Sequence, residues 1–179
     1  MTIIGWIKGA FNWRKLEREI VELDNKLILF EEENNLLRGM LEGEKINSAK
    51  NLGTISNYDL RQLLSQYCKS EDIKLSDMVY GLTSVEEAKK YSVATKVYIN
   101  QWKQEEFDCD EFSFALAGYW NLDLYQFAFG IAWSATHAYN IMVDNNKDIY
   151  VVEPQTNKFI PIGEAIENHI YFPFRFIII

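Results

Sequence analysis

The segment QEEFDCDEFSFALAGYW, residues 104–120, decides the fold because it contains both the start of a helix and the apolar face of that helix. Asp108 is a favourable N-cap residue, so the pattern predicts a helix over residues 108–120. Apolar side chains recur at helical spacing along one face, which also carries Cys109. They are Phe112, Leu116, Ala117 and Trp120. The segment therefore predicts a buried helix with a cysteine at its amino-terminal end.

Acidic residues crowd this cysteine. They are Glu105, Glu106, Asp108, Asp110 and Glu111. Negative charge opposes thiolate formation, because it disfavours a second anion nearby. Either the thiol of Cys109 stays protonated or a cation binds beside it. A solvated acidic loop without a ligand explains the same charges.

After residue 127, helical spacing gives way to short runs rich in aromatic and β-branched residues. The runs are FAFGIAW, HAYNIMV and DIYVVE, and the turn sequence DNNKD separates the last two. A short helix is predicted over 162–169. YFPFRFIII closes the chain as a strand that Pro173 bends or places at a sheet edge. The predicted fold is α+β, with the cysteine-bearing helix packed on an antiparallel sheet.

Two earlier segments, 58–68 and 83–92, also have helical spacing, whereas 93–102 fits a helix or a strand. Residues 44–57 gain Gly, Ser and Asn, which is typical of a linker. Residues 58–179 are therefore predicted to form one domain.

Residues 13–43 show apolar positions spaced alternately by four and three, the a/d seam of a coiled coil. The seam is Leu16, Ile20, Leu23, Leu27, Phe30, Asn34, Leu37 and Leu41. Asn34 at an a position favours a parallel dimer, because it can hydrogen-bond its symmetry mate. A single amphipathic helix lying on its own domain is the alternative, and Phe30 leaves another oligomer open.

Composition narrows the classes of partner. The net charge is −8, which argues against nucleic acid as a ligand. The two cysteines are too few for a disulfide scaffold and fit a reducing compartment.

The apolar segment 1–12 is interrupted by Lys8 and has no signal-peptide cleavage site, so we expect an intracellular protein. Contact of this segment with a membrane or a partner stays open.

Three residues in chain order fit thiol chemistry: Cys109, His137 and Glu153. A thiol nucleophile needs a base within reach, and the base needs a third group to orient it. A hairpin that turns near 144–147 brings His137 and Glu153 to the same end of the sheet. The alternative is a buried cysteine, a structural strand histidine and an acid that caps a turn.

The stretches CDEFSFALAGYW, FGIAWSATHAYNIMV and IYVVEPQTNKF resemble the agglutinin C-terminal domain family. This family has a papain-like cysteine peptidase fold and is known from fungal chimeric lectins, with similar sequences in phages and bacteria. The resemblance covers about residues 105–179. It implies a papain-like small domain preceded by the coiled coil, in a bacterial cytoplasm, a phage-infected cytoplasm or a phage particle.

By the same resemblance, Cys109 is the nucleophile, His137 the base and Glu153 the orienting acid. Gln104, or Gln101, is a candidate for the oxyanion hole. Lectin members need calcium and bind metal through the acid after the cysteine, here Asp110, which implies a Ca²⁺ cofactor. This chain has Glu111 and Phe112 where the lectins continue with aspartates, and a coiled coil instead of a sugar-binding module.

Two functions follow as expectations. The first is a calcium-activated cysteine hydrolase that cleaves a protein or peptide substrate. The second is a non-catalytic phage or bacterial interaction module that uses a peptidase-like fold. A cell-wall amidase of related fold is a third reading.

Overall fold

The computed structural model describes residues 48–123 and 125–179. Contacts divide the chain into two units, Met1–Lys45 and Ile46–Ile179. The predicted segment 1–12 and the predicted coiled coil over 13–43 lie outside the described residues. Both stay predictions, as does the dimer that the coiled coil implies.

The described part contains helices and strands in mixed order. In chain order they are β1 (Gly53–Ser56), α1 (Asn57–Leu64), β2 (Ile73–Lys74), β3 (Val79–Leu82), α2 (Val85–Ala94), α3 (Cys109–Asn121), β4 (Phe129–Trp133), β5 (Ala138–Val143), β6 (Ile149–Glu153), β7 (Lys158–Pro161), α4 (Ile162–Ala165) and β8 (Phe176–Ile178). No helix among these residues is long and apolar enough to cross a membrane.

Six strands form the main sheet, in the order β2-β8-β4-β5-β6-β7. The pairs are antiparallel except β2 with β8, which is parallel. Strands β1 and β3 make a separate antiparallel pair. The fold is therefore α+β, as the sequence predicts.

The two faces of the main sheet are covered by different helices. On one face, Phe112, Leu116 and Trp120 of α3 pack with Phe129 and Met142 of the sheet. The Trp120 and Phe129 rings stack with centroids 4.6 Å apart. On the opposite face, the apolar side of α1 joins a second buried cluster with the side chains of β5 and β6. Helix α3 is thus fixed by a buried aromatic face, which positions its amino-terminal end.

Several segments differ from the prediction. Strand β1 lies inside the predicted linker 44–57. Four residues are too few to show strand periodicity in the sequence, and the strand is stabilised by its pairing with β3. Strand β8 lies between β2 and β4, not at an edge. Pro173 precedes β8, so no missing N–H interrupts the ladder. The predicted helix 162–169 is only the short α4, and Val97–Ile99 within 93–102 is a single 3₁₀ turn.

Candidate active site

Cys109 is the first residue of α3, and Asp108 is its N-cap as predicted. The Asp108 backbone N–H donates to Glu111 Oε2 at 2.9 Å, so the side chain of Glu111 satisfies the group that precedes the helix. The Ser113 hydroxyl donates to the Cys109 carbonyl at 2.7 Å. These bonds fix the helix start that carries the thiol.

Asn140 holds this helix against the sheet. Its side chain is fully buried, and the amide donates to the Ser113 carbonyl at 2.9 Å and to the Gly130 carbonyl at 3.0 Å. The backbone N–H of Ala138, the first residue of β5, lies near enough to the Cys109 sulfur to favour the thiolate and so act to lower the pKa of the thiol. The sulfur therefore lies beside the residue that follows His137.

The structure brings His137 and Glu153 together, as the predicted hairpin requires. His137 Nε2 and Glu153 Oε2 are 2.7 Å apart, with side chains only 16% and 11% exposed. Strands β5 and β6 pair with Asn140 opposite Val152, so both residues lie at the same end of the hairpin. This carboxylate orients the imidazole and leaves Nδ1 as the nitrogen that can receive a proton.

The loop before β5 fixes the backbone of His137. The His137 N–H donates to Ser134 Oγ at 3.2 Å, and the Ser134 N–H donates to the His137 carbonyl at 3.0 Å. Within residues 48–123 and 125–179, no hydrogen bond joins the Cys109 thiol to the imidazole. Such bonds in ligand-free enzymes are often long and shorten when substrate binds. The Cys109 thiol and the His137 imidazole thus lie at the same end of β5 without a hydrogen bond between them.

Burial and charge set the resting state of the thiol. Burial raises the pKa of Cys109, and the neighbouring Asp108 and Asp110 carboxylates raise it further. The Ala138 N–H acts in the opposite direction, because it favours the anion. The pKa of the Cys109 thiol therefore lies above that of a free cysteine, and less thiolate forms at a given pH.

The carboxyl groups of Asp108 and Asp110 lie close together. Their mutual interaction lowers the pKa of Asp108 and raises the pKa of Asp110, because two like charges at this distance favour retaining one proton. The Glu105 N–H also donates to Asp108 Oδ2 at 3.1 Å. Ligand atoms of Asp108, Cys109 and Asp110 lie within 4.8 Å of one another, which is close enough to contact one metal ion.

Gln104 and Gln101, the candidates for the oxyanion hole, are not hydrogen-bonded to the other site residues. Gln104 lies exposed in a turn closed by two bonds between the backbones of Lys103 and Phe107, both 2.9 Å. Gln101 is exposed just before this turn. Neither side chain makes a hydrogen bond with another described residue. A role for Gln104 stays a prediction.

Sequence reasoning missed Tyr171. Its hydroxyl donates to Glu153 Oε2 at 3.3 Å, and its ring centroid lies 5.9 Å from that of His137. The other oxygen, Glu153 Oε1, is buried without a hydrogen-bond partner among the described residues. Tyr171 lies in an irregular segment between α4 and β8, so no periodic pattern indicates where its side chain points.

Comparison with known proteins gives a likeness in fold. No protein-family model matches the chain, and no curated protein matches it. Among solved structures, a PSL1a–E64 complex is similar with a TM-score of 0.58 and 17% identity, over 70% of this chain and 51% of that chain. A Polyporus squamosus lectin bound to a human-type influenza-binding epitope gives a TM-score of 0.58 and 19% identity, over 70% of this chain and 49% of that chain.

The chain thus shares its fold with part of a fungal lectin. It spans about half the length of the chains that it matches. At this low identity the likeness shows the fold alone. It agrees in coarse form with the agglutinin-type resemblance in the sequence.

Proposed function

We propose that the described domain is a cysteine-dependent hydrolase of papain-like type that acts on peptide or isopeptide bonds. The observation that carries this proposal is the 2.7 Å contact between His137 Nε2 and Glu153 Oε2, beside the thiol of a helix amino terminus. A buried carboxylate bonded to a histidine stabilises the imidazolium that forms during proton transfer. The order Cys109, His137, Glu153 matches the chain order that the agglutinin-type resemblance implies.

In the proposed reaction, the Cys109 thiol gives its proton to His137 Nδ1. The sulfur then attacks the carbonyl carbon of the substrate, and electrons of the C=O bond move to its oxygen. As the C–N bond breaks, imidazolium returns the proton to the leaving amine, which gives a thioester on Cys109. Water, deprotonated by His137, attacks the thioester; the C–S bond breaks, the acid is released, and imidazolium returns the proton to the Cys109 sulfur.

The tetrahedral oxyanion needs hydrogen-bond donors. The Asp108 side chain accepts a hydrogen bond from the backbone N–H of Glu111, so the Cys109 N–H at the start of α3 is proposed as the first donor beside the sulfur. Gln104 lies in the turn five residues before Cys109 and is proposed as the second donor. This role needs the exposed turn to bring the amide toward the thiol when substrate binds.

The Asp108–Asp110 pair fits a calcium ion in part. Carboxylate oxygens are the ligands that Ca²⁺ prefers, and two of them already lie close together. Calcium takes roughly six to eight oxygens, so water or backbone carbonyls would complete the set. The bound ion would supply positive charge that offsets the two carboxylates and favours thiolate. Asp110 and Asp108 are the residues proposed to hold it.

A second candidate function is a non-catalytic interaction module. Two observations favour it: the raised pKa of the Cys109 thiol, and the likeness to a lectin described as bound to a saccharide epitope. Under this proposal the peptidase-like fold binds a partner, and the predicted coiled coil over 13–43 holds two copies together. Cys109 would then be unreactive, and its replacement would leave binding unchanged.

The first test is hydrolysis by the full chain of casein and, separately, of peptidoglycan, with new termini detected by mass spectrometry. We expect new peptide termini from the wild type and from Cys68→Ala, and none from Cys109→Ala. Circular dichroism verifies that both variants fold. Full hydrolysis by Cys109→Ala would overturn the nucleophile assignment. Cleavage of peptidoglycan alone would assign the domain to the cell-wall amidases.

A further inference from the structure

Tyr171 touches the candidate site through the acid. Its hydroxyl donates to Glu153 Oε2, the oxygen that also contacts His137 Nε2. Glu153 Oε1 is buried and has no partner in the described residues. One oxygen therefore receives both donors, and the Tyr171 hydroxyl is the second of them. A glutamate side chain has three rotatable bonds, so one contact to the imidazole alone leaves it free to turn.

The ring of Tyr171 is itself held in place. It meets the Tyr139 ring edge-on, at 5.2 Å between centroids and an interplanar angle of 90°. The Tyr139 hydroxyl donates to the Tyr171 carbonyl. The backbone N–H of Tyr171 donates to the Asn168 carbonyl at 3.0 Å. Tyr139 lies two residues after His137 on the same strand, so a single strand carries both the imidazole and the group that fixes Tyr171.

The Tyr171 hydroxyl remains a donor at neutral pH. Burial, and then the nearby Glu153 carboxylate, raise the pKa of Tyr171 to about 12. A hydrogen bond from a neutral hydroxyl to a carboxylate is stronger than one between two neutral groups. The hydroxyl therefore stays protonated and donates to the carboxylate across 3.3 Å.

We propose that Tyr171 is a positioning residue that keeps Glu153 Oε2 on His137 Nε2, and so holds the imidazole tautomer whose Nδ1 is free to take the thiol proton. Its effect on catalysis rests on the proposed hydrolase function. Its effect on the imidazole does not, because the hydrogen bonds exist without substrate. Tyr171 acts through Glu153 and has no direct role in the reaction.

The test compares Tyr171→Phe with Tyr91→Phe in the full chain. Tyr91 is a matched control: its hydroxyl bonds a carbonyl at 2.8 Å, its pKa is likewise raised to about 12, and it packs in the other core cluster. Nitrogen-15 NMR of the imidazoles reports the tautomer. The chain has only two histidines, and the exposed His169 gives the reference signals. Iodoacetamide labelling of Cys109 gives the second readout.

We expect Tyr171→Phe to change the His137 signals from one dominant tautomer with a proton on Nε2 to a mixture. The ratio of the two tautomers should change by about tenfold, the equilibrium factor for losing one hydrogen bond to a charged group, and labelling of Cys109 should slow in proportion to the fraction of the Nε2–H tautomer that is lost. Tyr91→Phe should change neither readout. Tyr139→Phe, which frees the Tyr171 backbone but keeps its hydroxyl, should act in the same direction and more weakly. It replaces Tyr171→Phe if that variant does not fold.

Unchanged His137 signals in Tyr171→Phe would overturn the proposal, and so would an equal change in Tyr91→Phe. If Cys109 of the wild type does not react with iodoacetamide, the hydrolase function fails instead. The imidazole spectra then still decide whether Tyr171 positions His137.

Discussion

The two sides of Cys109 are built differently. On the sheet side, His137 and Glu153 are bonded at 2.7 Å and mostly buried, and the Ala138 N–H lies near the sulfur. On the loop side, Asp108 and Asp110 lie close together and are half-buried. The sheet side is complete as folded, whereas the loop side places two carboxylates where they raise the pKa of the thiol and where a bound cation would offset them. Thiol reactivity is therefore expected to depend on what occupies the loop side.

The largest effect should come from breaking the sheet side. Glu153→Gln keeps the size of the side chain but removes the charge that stabilises imidazolium. We expect hydrolysis to fall by about a hundredfold or more, as for loss of the acid in other triads. Peptide hydrolysis measured as kcat/KM checks this. Glu164→Gln, an exposed acid on α4, is the control and should retain full activity.

The next largest effect should be a loss of stability on replacing Asn140, because its side chain hydrogen-bonds both α3 and β4. Asn140→Ala leaves the Ser113 and Gly130 carbonyls without this donor in a fully buried site. We expect the free energy of unfolding to fall by about 2 kcal/mol or more. Urea unfolding measures it. Asn145→Ala, in the exposed turn after β5, should cost far less; equal losses would show that Asn140 does not hold α3.

The loop side should respond more modestly. Asp110→Asn removes one of the charges that raise the pKa of Cys109, so that pKa falls and more thiolate is present near neutral pH. We expect labelling of Cys109 in EDTA to rise by about threefold. The response to Ca²⁺ should disappear, because a ligand is lost.

The control for the loop side is Glu106→Gln, which alters an exposed acid paired with Lys103 at 3.4 Å. Its labelling rate and its response to Ca²⁺ should match those of the wild type. If Asp110→Asn labels more slowly than the wild type in EDTA, the electrostatic account of the loop side is wrong.

The smallest effect on the site should come from the predicted coiled coil. Light scattering should give twice the chain mass for the wild type, and Asn34→Leu should change that mass because the a-position Asn specifies a two-stranded coil. Labelling of Cys109 should stay within about twofold, since both sides of the thiol lie within one domain. A wild-type monomer at micromolar concentration would contradict the dimer.

Local patterns predict only part of this site. The helix from Cys109 and the strands after residue 127 have clear periodicity, and a hairpin returns its ends to one place, so the pairing of His137 with Glu153 is readable. Tyr171 is 18 residues from Glu153 in an irregular segment, and its contact depends on tertiary packing. The predicted edge position of β8 is wrong for a related reason: Pro173 precedes the strand, so it removes no N–H from the ladder.

The most direct measurement is iodoacetamide labelling of the wild type near neutral pH, mapped by mass spectrometry, in EDTA and in Ca²⁺. Cys68 is only 5% exposed, so its rate reports a buried thiol, and the same chain in guanidinium gives the unshielded rate. The account predicts that Cys109 labels faster than Cys68 and that Ca²⁺ accelerates Cys109 alone. If Cys109 is as inert as Cys68 in both conditions, the proposed nucleophile is wrong and the domain is an interaction module.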